Sequence, residues 1–344
     1  MTTANQIEQL IDSYKPKVDL SDKKQFLVKW GQALESYGTP VEFVMSTRFE
    51  EGKFDLSGKT YGLRRIISEN NAMRQELMSK QKKYENKSEK YDLNLSLDNC
   101  FLCQNIAQAE DSKANSDVAS NIVEELQDYY VLPNRYPANW GHSLWIPKNI
   151  DDMTFRVAPT GEKKDIYIPE EGKTRGKVLK ENELKQLFEL CDNLGYVAQR
   201  NHVLDAMSIP GHDHFHLQFD KYPNYGTVDM LALPLAANKI TKGIYRANAT
   251  PFDTLVITPA LSNLPEAAAY ILENMEKDNQ VFTLAYHKGN LLVSPRKNNE
   301  DNKRLAVGAG VHLHSFDKDP TVDIANNVLK HVPLKGEFNW KKYL

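Results

Sequence analysis

The chain is short of cysteine. It has three, Cys100, Cys103 and Cys191, in 344 residues. That number cannot supply the disulfide framework of a small secreted domain, so the fold must be held by apolar burial in a reducing compartment. Long apolar runs are also missing. None approaches the roughly 20 residues that a membrane-spanning helix needs. The start, Met1-Thr2-Thr3-Ala4-Asn5-Gln6, lacks the basic residues and apolar stretch of a secretory leader, so a cytoplasmic location is expected. Charge of one sign is absent as well: Lys and Arg number 43 against 46 Asp and Glu, a net charge of −3. No polybasic surface for nucleic acid or anionic lipid is implied. What remains is 41% apolar and 26% charged, an ordinary globular composition. The length allows one large domain or two of average size.

Histidine is scarce, with nine in the chain, yet His212, His214 and His216 fall within five residues. From His214 to Phe219 polar and apolar residues alternate, the period of a half-buried β-strand. Alternation sends His212, His214, His216 and Gln218 to one face, and Phe215, Leu217 and Phe219 to the other. A chance cluster of half-exposed histidines would explain the row without function. A metal site is a second reading, since histidines at i and i+2 can chelate one ion. The zinc deaminase signature does not fit, because the Cys pair comes first and no His-x-Glu precedes it. The third reading is nucleophilic catalysis on phosphorus. A neutral imidazole attacks a phosphate in line, its other ring nitrogen donates to a fixed acceptor, and nearby donors hold the phosphate oxygens.

Elsewhere the pattern predicts two helices within residues 1–37, with Ile7, Leu10 and Ile11, then Phe26, Leu27, Trp30 and Leu34, at helical spacing. Residues 41–49 have strand character, and 107–119 read as a small, polar surface loop. Strands are expected at 129–132 and 142–148, a helix from about Glu181 to Gln199, and the histidine strand after it. The second half offers a strand at 252–257, a helix at 265–275, and strands at 281–286 and 291–296. A short last helix is expected at 323–329. The stretches 143–148 and 291–296 look alike: apolar strand, Pro, then a cation. They suggest two imperfect copies of one α+β unit. Lys148 and Arg296 read as surface cations, and Asn201 as a helix cap or a nucleotide contact.

The segment His214-Phe215-His216-Leu217-Gln218 resembles the His-x-His-x-Gln motif of the histidine-triad superfamily's transferase branch. That branch contains galactose-1-phosphate uridylyltransferases, diadenosine tetraphosphate phosphorylases and GDP-galactose phosphorylases, and the surrounding residues are particularly similar to a bacterial group within it. Asn134…Pro137…Gly141-His142-Ser143-Leu144-Trp145-Ile146-Pro147-Lys148 resembles the upstream element of the same superfamily. The resemblance covers roughly residues 98–222. It implies an α+β fold of two histidine-triad-like halves, antiparallel sheets flanked by helices, behind an N-terminal helical extension. The expected boundaries are 1–95, 96–225 and 226–344.

It also implies roles. His216 matches the covalent nucleophile, His214 the preceding histidine, and Gln218 the amide that binds the nucleotidyl phosphate. His142 matches a supporting histidine. Asn134 falls where relatives place an acidic ribose contact, and Ser208 and Gly211 lie in the phosphate-binding loop. Cys100, Cys103 and His214 match ligands of a structural zinc, although Asn149 stands where a further ligand is expected. The implied activity is nucleotidyl transfer or phosphorolysis on a nucleotide-sugar or dinucleoside polyphosphate, with a phosphate or sugar-phosphate acceptor and a homodimeric assembly. Two alternatives stay open: a histidine-triad hydrolase with His214 as nucleophile, and a metal- or nucleotide-binding protein without turnover. The first frame puts Phe215 and Leu217 on the core side; the hydrolase frame puts Asp213 there, a poor core residue.

Overall fold

A computed structural model describes residues 2–14, 20–56, 59–68, 101–135, 137, 139–148, 179–201, 214–219, 237–247, 253–278, 280–297, 312–313, 333–334 and 336–344. In chain order the helices are α1 (Ala4–Tyr14), α2 (Lys24–Glu35), α3 (Phe101–Ala114), α4 (Glu181–Leu194) and α5 (Leu264–Lys277). The strands are β1 (Thr47–Leu56), β2 (Lys59–Ser68), β3 (Glu124–Glu125), β4 (Tyr129–Pro133), β5 (Ser143–Pro147), β6 (Tyr196–Asn201) and β7 (Phe215–Phe219). They continue as β8 (Ala237–Thr241), β9 (Ile244–Ala247), β10 (Leu255–Ile257), β11 (Phe282–His287), β12 (Asn290–Pro295) and β13 (His312–Leu313).

The chain divides into two compact units. One holds Met1–Arg48, Ser68–Ile168 and Gly211–Lys221; the other holds Phe49–Ile67, Pro169–Pro210 and Tyr222–Leu344. In the first unit antiparallel pairing runs β3, β4, β5, β7. Helix α2 packs on β4 through the face that carries Leu27, Trp30 and Leu34, all fully buried. Aromatic rings fill the interior: Tyr129 stacks on Trp145, Trp145 meets Phe215 edge-on, Trp30 lies against Trp140, and Phe26 against Phe219. Such pairs contribute about 0.5–1.5 kcal/mol each beyond their buried area.

In the second unit antiparallel pairing runs β6, β11, β12, β10, β9, β8. Helices α4 and α5 pack on one another, and Asn263 Nδ2 donates to Glu181 Oε1 at 3.0 Å. Tyr286 of β11 stacks on Phe188 of α4, and its hydroxyl donates to Asp192 Oδ2 at 2.8 Å. Burial and Asp192 push the Tyr286 phenol well above its ordinary range. On the opposite face of the sheet Val197, Ala247, Val256, Ala285 and Leu292 form an apolar cluster. The last residues are tied to this unit. Asp253, fully buried, accepts from the backbone N–H groups of Gly336 and Phe338 at 2.7 and 2.9 Å. Arg246 Nε lies 3.0 Å from Asp253 Oδ1, an ionic contact whose angle is poor for a hydrogen bond. A separate three-stranded sheet has the order β1, β2, β13, with β13 parallel to β2.

Two copies of one topology follow each other along the chain. The first is β3, β4, β5, α4, β6, β7; the second is β8, β9, β10, α5, β11, β12. In each, the first three strands pair in series and the third pairs with the last. The fold class is therefore the expected α+β arrangement in two like halves. The equivalence differs from the sequence likeness of 143–148 to 291–296, which would match β5 with β12. Topology matches β5 with β10 and the histidine strand β7 with β12. A shared strand–Pro–cation string is too short to separate a repeat from coincidence. The true counterpart of the histidine strand, Asn-Leu-Leu-Val-Ser-Pro, contains no imidazole.

Other expectations are corrected. Residues 41–46 form a 3-10 turn, and the strand starts at Thr47. Residues 107–114 belong to α3, because Leu102, Ile106 and Ala109 make a buried face of period 3–4 whose first two members precede the stretch read as loop. Helix α4 stops at Leu194 because Gly195 adopts a left-handed φ of 70°, a C-terminal stop natural to glycine. Residues 196–201 are then strand, and Asn201 pairs with Thr283 instead of capping a helix. Arg296 is buried, at 3% exposure. Lys148 is half-buried and ion-paired to Glu125 at 2.8 Å. The expected helix at 323–329 lies outside the described residues.

Candidate active site

The histidine strand has the predicted parity. Phe215, Leu217 and Phe219 are buried, at 1%, 0% and 0% exposure, while His216 keeps partial exposure between them. Strand β5 lies beside it, with Leu144 opposite His216 and Ser143 opposite Leu217. The residue before Ser143 is His142, so the register brings it level with Gln218.

His142 arrives there through a tight turn. Its N–H donates to the carbonyl of Asn139 at 3.2 Å, and its own carbonyl accepts from the N–H of Asn134 at 2.9 Å. Trp30 Nε1 of α2 donates to the same carbonyl at 3.2 Å. Gly141 carries φ +75°, and a Cβ there would stand 2.2 Å from Phe219 Cε2. Only glycine allows the turn to close over that ring. The result is a buried imidazole fixed by backbone bonds on two elements.

Its ring reaches the histidine strand. His142 Nε2 is 3.0 Å from His216 Nδ1 and 3.2 Å from Asn134 Nδ2. With the Asn134 amide nitrogen turned toward it, His142 Nε2 serves as acceptor with its one lone pair shared, and in this tautomer His216 Nδ1 carries the hydrogen between the rings. That tautomer puts the lone pair of His216 on Nε2, the atom a nucleophile needs. The ring of His214 stands edge-on to His216, with centroids 5.0 Å apart, and is itself 96% buried by its 4% exposure. Gln218, also buried, accepts at Oε1 from Asn139 Nδ2 at 3.0 Å.

Four residues singled out from sequence, Asn134, His142, His216 and Gln218, thus meet on the strand pair β5–β7 and its preceding turn. His214 adjoins them. Ser208, Gly211, His212 and Cys100 lie outside the described residues, as does the side chain of Cys103. Among the described residues no group of three His, Cys, Asp or Glu side chains could hold a metal, and of the expected zinc ligands only His214 is in view. Two contributors were missed. Asn139 sits in a turn 79 residues from its partner, and Trp30 is 112 residues from His142. Neither belongs to a short-range pattern that could have pointed to it.

No protein-family profile and no curated protein matches the chain. Among solved structures, the fold matches that of yeast Ap4A phosphorylase Apa2. One Apa2 structure aligns over 95% of this chain and 99% of its own, with TM-score 0.54 and 12% identity. Another, in complex with AMP, aligns over 93% and 100%, with TM-score 0.52 and 13% identity. The match is a likeness of fold.

Proposed function

We propose that this protein is a nucleotidyltransferase of the phosphorylase type, acting on a dinucleoside polyphosphate through a covalent nucleotidyl-histidine at His216. The observation that carries the reading is the contact between His216 Nδ1 and His142 Nε2 at 3.0 Å, which leaves the nucleophilic lone pair on His216 Nε2. The fold shared with yeast Ap4A phosphorylase Apa2 supports the substrate class.

In the first half-reaction His216 Nε2 forms a bond to an α-phosphorus. The bond from that phosphorus to the bridging oxygen breaks, and the electron pair leaves with the oxygen. From a dinucleoside tetraphosphate the leaving group is a nucleoside triphosphate, and a nucleoside monophosphoryl group stays on His216. The imidazole gains positive charge as it attacks. His142 Nε2, accepting the Nδ1 hydrogen, offsets that charge without reorganisation. In the second half-reaction an oxygen of inorganic phosphate attacks the same phosphorus. The N–P bond breaks, returning the electron pair to Nε2, and a nucleoside diphosphate departs. The Nδ1 hydrogen stays in place throughout. Gln218 and His214 flank the position of the transferred phosphoryl oxygens, and Asn134 holds the His142 ring in the accepting orientation.

The test is a base quench of enzyme mixed with radiolabelled Ap4A. The expected product is a protein adduct that survives base and is lost in acid. His216→Ala should abolish it, while His214→Ala should slow its formation and leave it detectable. An adduct that persists in His216→Ala would refute the mechanism, and one lost only in His214→Ala would favour the hydrolase frame.

A further inference from the structure

The turn between β4 and β5 contributes more than His142. Asn139 is fully buried, and its side chain reaches 79 residues along the chain to Gln218. We infer that Asn139 is a positioning residue that sets the polarity of the Gln218 amide, an assignment that rests on the proposed phosphoryl site.

A glutamine amide has two ends of equal size and opposite character. Rotated one way it presents two N–H donors; rotated the other way, a carbonyl acceptor. A phosphoryl group carries only acceptor oxygens, so one orientation binds it and the other repels it. The bond from Asn139 Nδ2 to Gln218 Oε1, at 3.0 Å, occupies the acceptor end. The Nε2 hydrogens are then the end left to serve the phosphoryl group. With the pair buried, an inverted glutamine would set its NH2 against the NH2 of Asn139, two donors without an acceptor in a low-dielectric interior, which is costly.

Asn139 is itself held. Its carbonyl accepts from the His142 N–H at 3.2 Å, and the neighbouring Trp140 is packed against Trp30. Its Oδ1 is buried and has no hydrogen-bond partner among the described residues. A side chain kept for packing or turn geometry alone would gain from an apolar replacement there. The donor end is what this position uses. The same turn that supplies the acceptor for His216 therefore supplies the donor that orients Gln218.

The experiment is a double-mutant cycle. Adduct formation from Ap4A and equilibrium binding of AMP are measured for the wild type, Asn139→Asp, Gln218→Ala and the double variant. Asn139→Asp exchanges the donor for an acceptor and should invert the glutamine. It should slow adduct formation by about 100-fold, the usual loss for one misplaced transition-state donor, with a much smaller change in KM. In the Gln218→Ala background the same substitution should change the rate by less than about 2-fold, because its target is gone. Equal effects in both backgrounds would overturn the assignment and make Asn139 a structural residue. If Asn139→Asp does not fold, Asn139→Leu removes the donor at similar volume and enters the same cycle. A wild-type protein that binds AMP but makes no adduct defeats the covalent mechanism alone, and the cycle is then read from AMP affinity. A wild-type protein that does neither overturns both.

Discussion

At the scale of single residues the site depends on atoms with no freedom to move. The proposed attack by His216 rests on one hydrogen between two rings whose nitrogens are 3.0 Å apart, with His142 held by backbone bonds. Gly141 makes those bonds possible. Gly141→Ala would force a left-handed φ on a residue with a Cβ and drive that Cβ into Phe219. Strain and overpacking together should cost about 2–4 kcal/mol. Chemical denaturation of the purified variant would measure it. A change below about 0.5 kcal/mol, the range of inert surface substitutions, would show that the turn can relax. The same variant should lose adduct formation more steeply than stability, because His142 moves with the turn.

At the scale of elements, the histidine strand was legible because a period of two is a local signal with a physical cause. Phe215 and Leu217 are buried as the pattern requires. The turn before His142 was legible as a turn, but not as a donor to Gln218, since nothing local relates residues 139 and 218. Helix α3 was hidden because its apolar face is small and begins before the polar stretch at 107–119. The end of α4 was misplaced because Val197 continues a helical spacing that Gly195 interrupts. Tertiary tethers are equally invisible in sequence. Asp253 is one: it binds Gly336 and Phe338 backbone groups and faces Arg246. Asp253→Ala would leave a guanidinium and two N–H groups without their acceptor. Arg246 is partly exposed and would be rehydrated, so the two lost hydrogen bonds to a carboxylate set the expected loss, about 2–4 kcal/mol. Urea titration checks the magnitude. Limited proteolysis checks the cause, since cleavage should begin in residues 333–344 before any other described segment.

At the scale of the whole molecule, the chain repeats a topology but not a chemistry. Each copy has the same strand pairing, yet of the equivalent strands β7 and β12 only β7 carries an imidazole, His216; β12 reads Asn-Leu-Leu-Val-Ser-Pro. One nucleotidyl group per chain is therefore expected at saturation. Intact mass spectrometry of the quenched adduct would count it, and peptide mapping should find it on His216. Two groups per chain, or a label on His287 of the second copy, would contradict the reading. No helix among the described residues is long and apolar enough to cross a membrane.

The aromatic packing around His142 also makes the site visible to light. Of four tryptophans, three lie in the first unit: Trp30 bonded to the His142 carbonyl, Trp140 two residues before His142, and Trp145 edge-on to Phe215 of the histidine strand. The fourth, Trp340, belongs to the other unit. Indole emission follows the polarity and hydrogen bonding of its surroundings, so the natural fluorescence of the protein is a built-in gauge of this one site. Titration with AMP should change the emission, and Trp340→Phe should leave that change intact. Trp30→Phe, which removes the indole bonded to the His142 carbonyl, should diminish it. An unlabelled protein in a cuvette would thus report occupancy in real time.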